Sequence, residues 1–428
     1  MTSIISTITA LFMALTQVFS SVMGTAPAKS HIRNDSKPVN VFVNGMIGYG
    51  EKSGINFLVP CYGMTGDLLG LLEDEGYECY LTSQGPFSSI WDAACNIYAE
   101  LTGTRVDYGA AHAKEHGHAR YGREYAKPLV EDWSTDRPVN LWGYSMGGQT
   151  VHLLSNLLAD GSAEERAATP ASELSPLFSG ELDGLVHSVT SQNGSLNGTI
   201  VEPANLNGKS YKAPAIFPLA SLLILWGSVG PLNRLYDLNL DQFGISGKQL
   251  LKLPRLRGLD QYFTSNDNAF YDVSPEGAWK VNQKTRTLED VYYFSYVSDI
   301  TEPDGKGNWK APLSQLFNNP ADYYFANRVG AGKGYYYGKT FDSHAGKFTI
   351  DESWKDNDGQ VSVVSARYPF GAPNKAFDAE NMERGKWQVM PVMYGYSHLF
   401  FCGMDFKFSL EELKAVYLEH LKVLNRTV

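Results

Sequence analysis

Cysteine is scarce, with four in 428 residues. Cys61, Cys79, Cys95 and Cys402 are scattered and form no Cys-x-x-Cys pair. That spacing excludes a dense disulfide framework and argues against thiol chemistry. Positive charge is also short: 36 Lys and Arg stand against 46 Asp and Glu, for a formal charge of -10. Such a balance argues against nucleic acid and against an anionic membrane surface as partners. Charged residues make up only 19% and apolar ones 43%, a globular composition without the low hydropathy of a disordered chain. No internal repeat is visible. Two runs lack charge altogether, Ile4–Met23 and Ala213–Asn233.

What is present begins with Val139-Asn140-Leu141-Trp142 running into Gly143-Tyr144-Ser145-Met146-Gly147-Gly148. A helix-like run follows, with Val151, Leu154 and Leu158 on one stripe and Leu153 and Leu157 beside it. Gly-x-Ser-x-Gly between strand and helix is the context of a nucleophile elbow. The turn demands a strained serine backbone and leaves no room for side chains at Gly143 and Gly147. In exchange it exposes the Ser145 hydroxyl at the positive end of a helix, with the Met146 amide free to hold an oxyanion.

The elements around it read as an α/β chain. Pro38–Val43 is a β-branched strand followed by Asn44-Gly45-Met46, and Met46 is placed to give a second oxyanion amide. Leu68–Glu75 reads as a helix stopped by Gly76, and Tyr77–Leu81 as the next strand. This alternation predicts an α/β fold, a mostly parallel sheet with helices on both faces. Ser409-Leu410-Glu411-Glu412 is a capping box that opens a closing amphipathic helix.

Residues 1–28 stand apart. The uncharged run ends in Ala26-Pro27-Ala28, small residues suited to a cleavage site, although no Lys or Arg precedes Lys29. The expectation is a secretory signal peptide, with an N-terminal membrane anchor as the alternative. Residues 29–428 are then the catalytic domain. Between Trp91 and Tyr125, three of the nine histidines, His112, His116 and His118, fall within seven residues. Metal binding and a solvated patch both fit that cluster.

Several motifs resemble the bacterial lipases of the thermoalkalophilic and staphylococcal group. They are Trp91-Asp92-Ala93-Ala94-Cys95, Val106–Ala113, His116–Gly122, the elbow with Gly147–Thr150, Tyr236–Gly244, Phe263–Asp267 and Asp356–Gly359. The resemblance runs from about residue 39 to the C-terminus; 160–182 and 303–350 match poorly and look like remodelled insertions. It implies an α/β-hydrolase fold with an inserted zinc-binding segment. Carried over by position, it implies zinc ligands at Asp92, His112, His118 and Asp267, a closed set of two imidazoles and two carboxylates suited to a structural zinc. His116 has no counterpart and is expected to be an exposed polar side chain.

The same resemblance implies Asp358 as the acid and His398 as the base of a Ser145–His398–Asp358 triad, in the chain order of α/β-hydrolases. Asp356, two residues from Asp358, could substitute. His152 and His420 lie inside helices and read as surface or packing residues, and His187 and His344 match no motif. In the group a calcium ion ties down the histidine loop through two carboxylates and a proline carbonyl. Here Asp405 is the only matching carboxylate, because Phe400 stands at the other acidic position and Phe406 at the proline. Calcium wants several oxygen ligands, so none is expected. Phe400, Phe401, Phe406 and Phe408 are expected to hold the loop by apolar packing instead.

Ala213–Asn233 is long enough to span a bilayer. Pro214, Pro218, Gly227, Gly230 and Pro231 interrupt it, however, and spanning would separate Asp267, Asp358 and His398 from Ser145. A helical lid over the site, at about 200–245, fits better, with a buried core helix as the alternative. The reading is a secreted triacylglycerol lipase acting at a lipid–water interface. A short-chain or polyester carboxylesterase and a non-catalytic lipid-binding relative are the alternatives.

Overall fold

Val39–Val43 (β1) is buried at every position, as a β-branched strand must be when helices cover both faces of its sheet. β1 pairs in parallel with Cys79–Leu81 (β2) on one side and with Val139–Tyr144 (β3) on the other. Val186–Gln192 (β4) and Tyr292–Tyr296 (β5) extend the sheet beyond β3. Asn374–Ala376 (β6) and Trp387–Val389 (β7) complete it in the order β6-β7-β5-β4-β3-β1-β2, every pairing parallel. This computed structural model describes residues 31–64, 66–201, 235–245, 258 and 261–427. The expected signal segment 1–28 and the uncharged run Ala213–Asn233 lie outside them.

Strand alternation divides the core in two. Val39, Val41, Val43 and Leu141 face a cluster with Ile90, Ile97, Leu154 and Leu158. Phe42, Trp142 and Phe294 face the opposite cluster, with Leu68, Leu72, Tyr417 and Leu421. The helices that supply these partners are Leu68–Asp74 (α1), Ile90–Thr102 (α2), Met146–Asp160 and Leu410–Asn425. The last begins with the expected capping box, Ser409 Oγ accepting from the Glu412 amide at 3.2 Å while the Glu412 carboxylate accepts from the Ser409 amide at 2.8 Å. One boundary differs from expectation. The strand after α1 begins at Cys79, because the Gly76 and Tyr77 amides still bond back to the helix carbonyls of Glu73 and Leu72.

The poorly matched 303–350 stretch folds as two hairpins and two helices. Glu302–Pro303 pairs with Trp309–Lys310, and Thr340–Ser343 with Gly346–Thr349. Val329, Tyr336 and Ile350 pack in one small cluster with Ile200, Val201 and Trp354. Residues 235–245, at the end of the expected lid span, bury Tyr236, Leu238, Leu240 and Phe243 against Phe87, Tyr262 and Phe270. That end is anchored in the body of the molecule. No helix among the described residues is long and apolar enough to cross a membrane.

The winding order places a crevice where β1 and β3 meet. The chain leaves β1 toward β2 on one side and returns to β3 on the other, so the loops after these strands diverge above their carboxyl ends. Open parallel sheets hold their ligands at such a switch point.

Candidate functional site

Ser145 sits at that point, between the end of β3 and the start of the helix Met146–Asp160. Its backbone lies at φ 56 and ψ -125, a conformation an L-residue keeps only when its surroundings enforce it. Its amide donates to the Gln192 carbonyl at 2.9 Å, which locks the turn to β4. A Cβ on Gly143 would lie 2.2 Å from the Gly147 carbonyl oxygen, and one on Gly147 would lie 2.5 Å from that of Val43. Both glycines are therefore steric necessities, as the motif implies. Gly45 belongs to the same construction, since a Cβ there would lie 2.6 Å from Ser145 Cβ. Its neighbour Met46 thus stands on the wall beside the serine.

The Ser145 hydroxyl donates to His398 Nε2 at 2.9 Å, and His398 Nδ1–H donates to Asp358 Oδ2 at 2.8 Å. The Asp358 Oδ1 is filled by the amides of Gln360 at 2.8 Å and Val361 at 2.7 Å, so its carboxylate can present only one oxygen to the ring. A backbone bond from the His398 amide to the Asp358 carbonyl, 2.7 Å, ties the two loops together. His398 and Asp358 are both buried. Burial lowers the pKa of His398, but the Asp358 charge and hydrogen bond outweigh it, with help from Asp322, and the net direction is upward. Asp356, the other carboxylate in the turn, is not the partner of His398: its backbone oxygen accepts from the Val363 amide, and the ring nitrogen of His398 is taken by Asp358.

The remaining histidines divide as the sequence suggests, with one exception. His152 is buried between the rings of Tyr293 and Trp387, and its pKa is lowered by burial to about 4. His420 is buried beside Thr190 and lowered to about 3 for the same reason. Both are packing residues. His116, expected to be exposed, is half-buried instead, its ring centroid 4.5 Å from that of His112. The one-turn spacing on Ala110–His116 puts both on the same helical face.

The four residues that resemblance marks as metal ligands converge from three separate segments. Asp92 comes from the first turn of α2, His112 from the helix Ala110–His116, His118 from just after it, and Asp267 from the loop following Tyr262. His112 Nε2 lies 3.2 Å from Asp92 Oδ1 and 3.3 Å from Asp267 Oδ1, and His118 Nε2 lies 3.0 Å from Asp267 Oδ2. Tetrahedral coordination with bonds of about 2.0 Å sets donors roughly 3.3 Å apart, so a small cation fits this spacing. Asp92 Oδ1, His112 Nε2, His118 Nε2 and Asp267 Oδ2 are buried with no hydrogen-bond partner among the described residues. Buried polar atoms left in this state are costly, and a cation at their centre satisfies all four. Burial opposes protonation of His112, yet Asp267 and Asp92 raise its pKa to about 10, so the pocket favours positive charge. His118 Nδ1–H donates to the Ala119 carbonyl at 2.9 Å, which turns Nε2 inward. The geometry and donor chemistry of the group are those of a site that could hold a metal ion.

Two supporting residues were invisible in the sequence. Gln242 donates to Asp92 Oδ2 at 2.5 Å, and it lies in the stretch Tyr236–Gly244, whose purpose no spacing revealed. Glu165, in the poorly matched 160–182 stretch, is buried and accepts from the amides of Ala111 at 3.0 Å and His112 at 2.8 Å. It anchors the start of the helix that carries His112. No local pattern signals either one, because both partners are remote in sequence.

On the histidine loop, Asp405 is buried and accepts from the Ser397 amide at 2.9 Å and the Lys407 amide at 3.3 Å. Phe400 packs on Phe401, Phe408 and Tyr396, with centroids 5.2, 5.0 and 4.7 Å away. Phe406 does not join them. It is 63% exposed, which corrects the expectation that four phenylalanines hold this loop. Asp405 turns the chain there, and the ring of its neighbour is left outside.

A sheet wound on both faces, with a serine at the sharp turn after its central strand and a histidine–aspartate pair delivered to it by later loops, defines the α/β-hydrolase class. The chain belongs to the family described as "Lipase-like, C-terminal domain", which matches residues 35–427. It is 31% identical to Lipase 1 of Staphylococcus aureus over 85% of this chain and 50% of that protein. The solved structure of Staphylococcus hyicus lipase superposes with a TM-score of 0.75 at 29% identity, covering 94% of this chain and 98% of that one. EstA from Clostridium botulinum gives a TM-score of 0.74 at 30% identity, covering 94% and 90%. The chain spans about half the length of the curated relatives it matches.

Proposed function

We propose that this chain is a serine hydrolase that cleaves carboxylic esters of lipids, triacylglycerols foremost, through an acyl-enzyme. The observation that carries this reading is the continuous relay from Ser145 Oγ through His398 to Asp358, at 2.9 and 2.8 Å, on a strained strand-to-helix turn. His398 takes the hydroxyl proton as Ser145 Oγ attacks the ester carbonyl, then returns it to the departing alkoxide. In the second half it takes a proton from water as that water attacks the acyl carbonyl, then gives it to Ser145 Oγ as the acid departs. Asp358 holds the Nδ1–H tautomer and offsets the imidazolium charge. The Met146 amide, in the first turn of its helix where amides have no intrahelical acceptor, and the Met46 amide beside Ser145 are assigned to the oxyanion.

The metal pocket takes a structural zinc ion on Asp92, His112, His118 and Asp267. Two imidazoles and two carboxylates suit that ion, and four protein ligands leave no open position for a reacting water. Residues 1–28 are assigned to export. Names of similar proteins as lipases support the substrate class.

The test is hydrolysis of p-nitrophenyl esters from short to long acyl chains, with a fluorophosphonate probe applied in parallel. Turnover together with labelling that disappears in Ser145→Ala supports the reading. A wild-type protein that neither turns over any ester nor takes the probe is a non-catalytic relative.

A further inference from the structure

The 303–350 stretch supplies a group to the active site that its poor match to relatives conceals. Its longer helix, Pro320–Gly330, is capped by Asn319 and carries Asp322 in the first turn. Asp322 is fully buried, with no exposed surface. Its Oδ2 accepts from the backbone amide of Leu399, the residue after His398, at 3.3 Å, and from Asn319 Nδ2 at 3.0 Å. Its Oδ1 accepts from Gln360 Nε2 at 2.9 Å, two residues past Asp358. Gly359, at φ +111, is pressed against it, since a Cβ there would lie 2.5 Å from Asp322 Cβ. One carboxylate therefore touches both loops of the relay.

Those three hydrogen-bond partners are neutral, and a buried carboxylate held only by neutral donors is costly unless a cation lies near. His398 becomes that cation in each half-reaction. We infer that Asp322 is a positioning residue for His398 and a second counter-charge for its imidazolium, clasping the histidine loop to the acid loop from the inserted helix.

The surroundings agree. Burial and the Asp358 charge push the pKa of Asp322 up to about 6, while protonated His398, Gln360 and the Leu399 amide pull it down. The other titratable groups that feel its charge are Tyr144 at the end of β3 and Cys402 on the histidine loop. Burial pushes both upward, so both are neutral wherever the enzyme works and neither competes for the role. Near neutral pH Asp322 is an anion that raises the pKa of His398, and Asp358 acts in the same direction. Below about 6 it takes up a proton and that support fades.

The inference rests on the ester-hydrolase reading, and its test separates the two. In Asp322→Asn the side chain keeps its size and one acceptor oxygen but loses its charge. Less support for the imidazolium lowers the pKa of His398, so the acidic limb of kcat/KM is expected to move to lower pH, by on the order of one unit for a unit charge at this range. At the plateau kcat is expected to fall about tenfold with KM little changed, because the lost stabilisation belongs to the transition state. The same limb read from the pH dependence of fluorophosphonate labelling should move equally. An active wild type whose limb stays in place in Asp322→Asn overturns the inference, even if stability drops, because a purely structural group would do just that. Asp322→Thr, smaller and uncharged with a hydroxyl for the Leu399 amide, repeats the measurement if the amide variant does not fold. If both fail to fold while Ser145→Ala folds, Asp322 is structural and the inference falls. A wild type inert to ester and probe overturns the hydrolase reading instead, and the inference with it.

Discussion

At the scale of single residues, the relay sets a pH dependence with a definite sign. His398 must be neutral to take the Ser145 proton, and it is protonated below its pKa. Burial lowers that pKa, but Asp358 and Asp322 raise it further, so it lies above the ordinary imidazole value. Activity is therefore expected to rise with pH through a limb above the usual histidine range, read as kcat/KM from pH 5 to 9. A limb at or below the ordinary value would mean that burial dominates. Replacing a group in the relay removes the mechanism rather than weakening it. Ser145→Ala or His398→Ala is expected to cost at least ~10⁴-fold in kcat with an unchanged fold by circular dichroism. Asp358→Asn should lose comparably. Asp356 is not expected to rescue it, because the ring nitrogen that an acid must hold is bonded to Asp358.

At the scale of elements, the histidine loop depends on how it is fastened. Asp405 caps the Ser397 amide, Phe400 packs among Phe401, Phe408 and Tyr396, and Asp322 holds the Leu399 amide. Truncating Phe400, a buried ring, removes packing worth about 3–5 kcal/mol in typical cores. Phe400→Ala is expected to lower Tm by several degrees and to speed amide exchange across 396–404 more than elsewhere. Millimolar EGTA is expected to change neither Tm nor activity of the wild type. The phenylalanine stands where the resemblance places a calcium carboxylate, and one carboxylate of two cannot repay dehydration of the ion. A Tm that climbs on adding calcium would show that other oxygens have built a site.

At the scale of the whole molecule, the metal pocket joins segments that would otherwise be held by packing alone. Asp92 stands on α2 in the sheet's core, His112 and His118 on the inserted segment, and Asp267 on the loop that leads back toward the sheet. Ligands assembled from distant segments make binding free energy part of folding free energy. Purified protein is expected to hold close to one zinc per chain by elemental analysis. His118→Ala should lower Tm substantially while kcat of the folded enzyme changes little. Metal-free protein with an unchanged melting temperature would reject the structural role. Glu165 links the same assembly to the helix following the elbow helix through the His112 amide, so a substitution there is expected to weaken zinc retention without removing a ligand atom.

The elbow, the sheet and the capping box were legible from sequence because each is a local contract. Gly143 and Gly147 sit within two residues of the serine whose strain they permit, Val39–Val43 announces its burial by composition, and Ser409 meets Glu412 one turn away. The ligands and the acid and base came through resemblance, since nothing in the spacing of Asp92, His118, Asp267, Asp358 or His398 says that they meet. The tertiary structure alone decided between Asp358 and Asp356, placed His116 against His112, left Phe406 in solvent, and brought Asp322 and Glu165 from remodelled stretches onto the two sites. The carboxylates among those outcomes turn on contacts between residues far apart in the chain. A pattern read along the chain carries torsion and periodicity, whereas a buried charge is settled only by whatever donors folding brings around it.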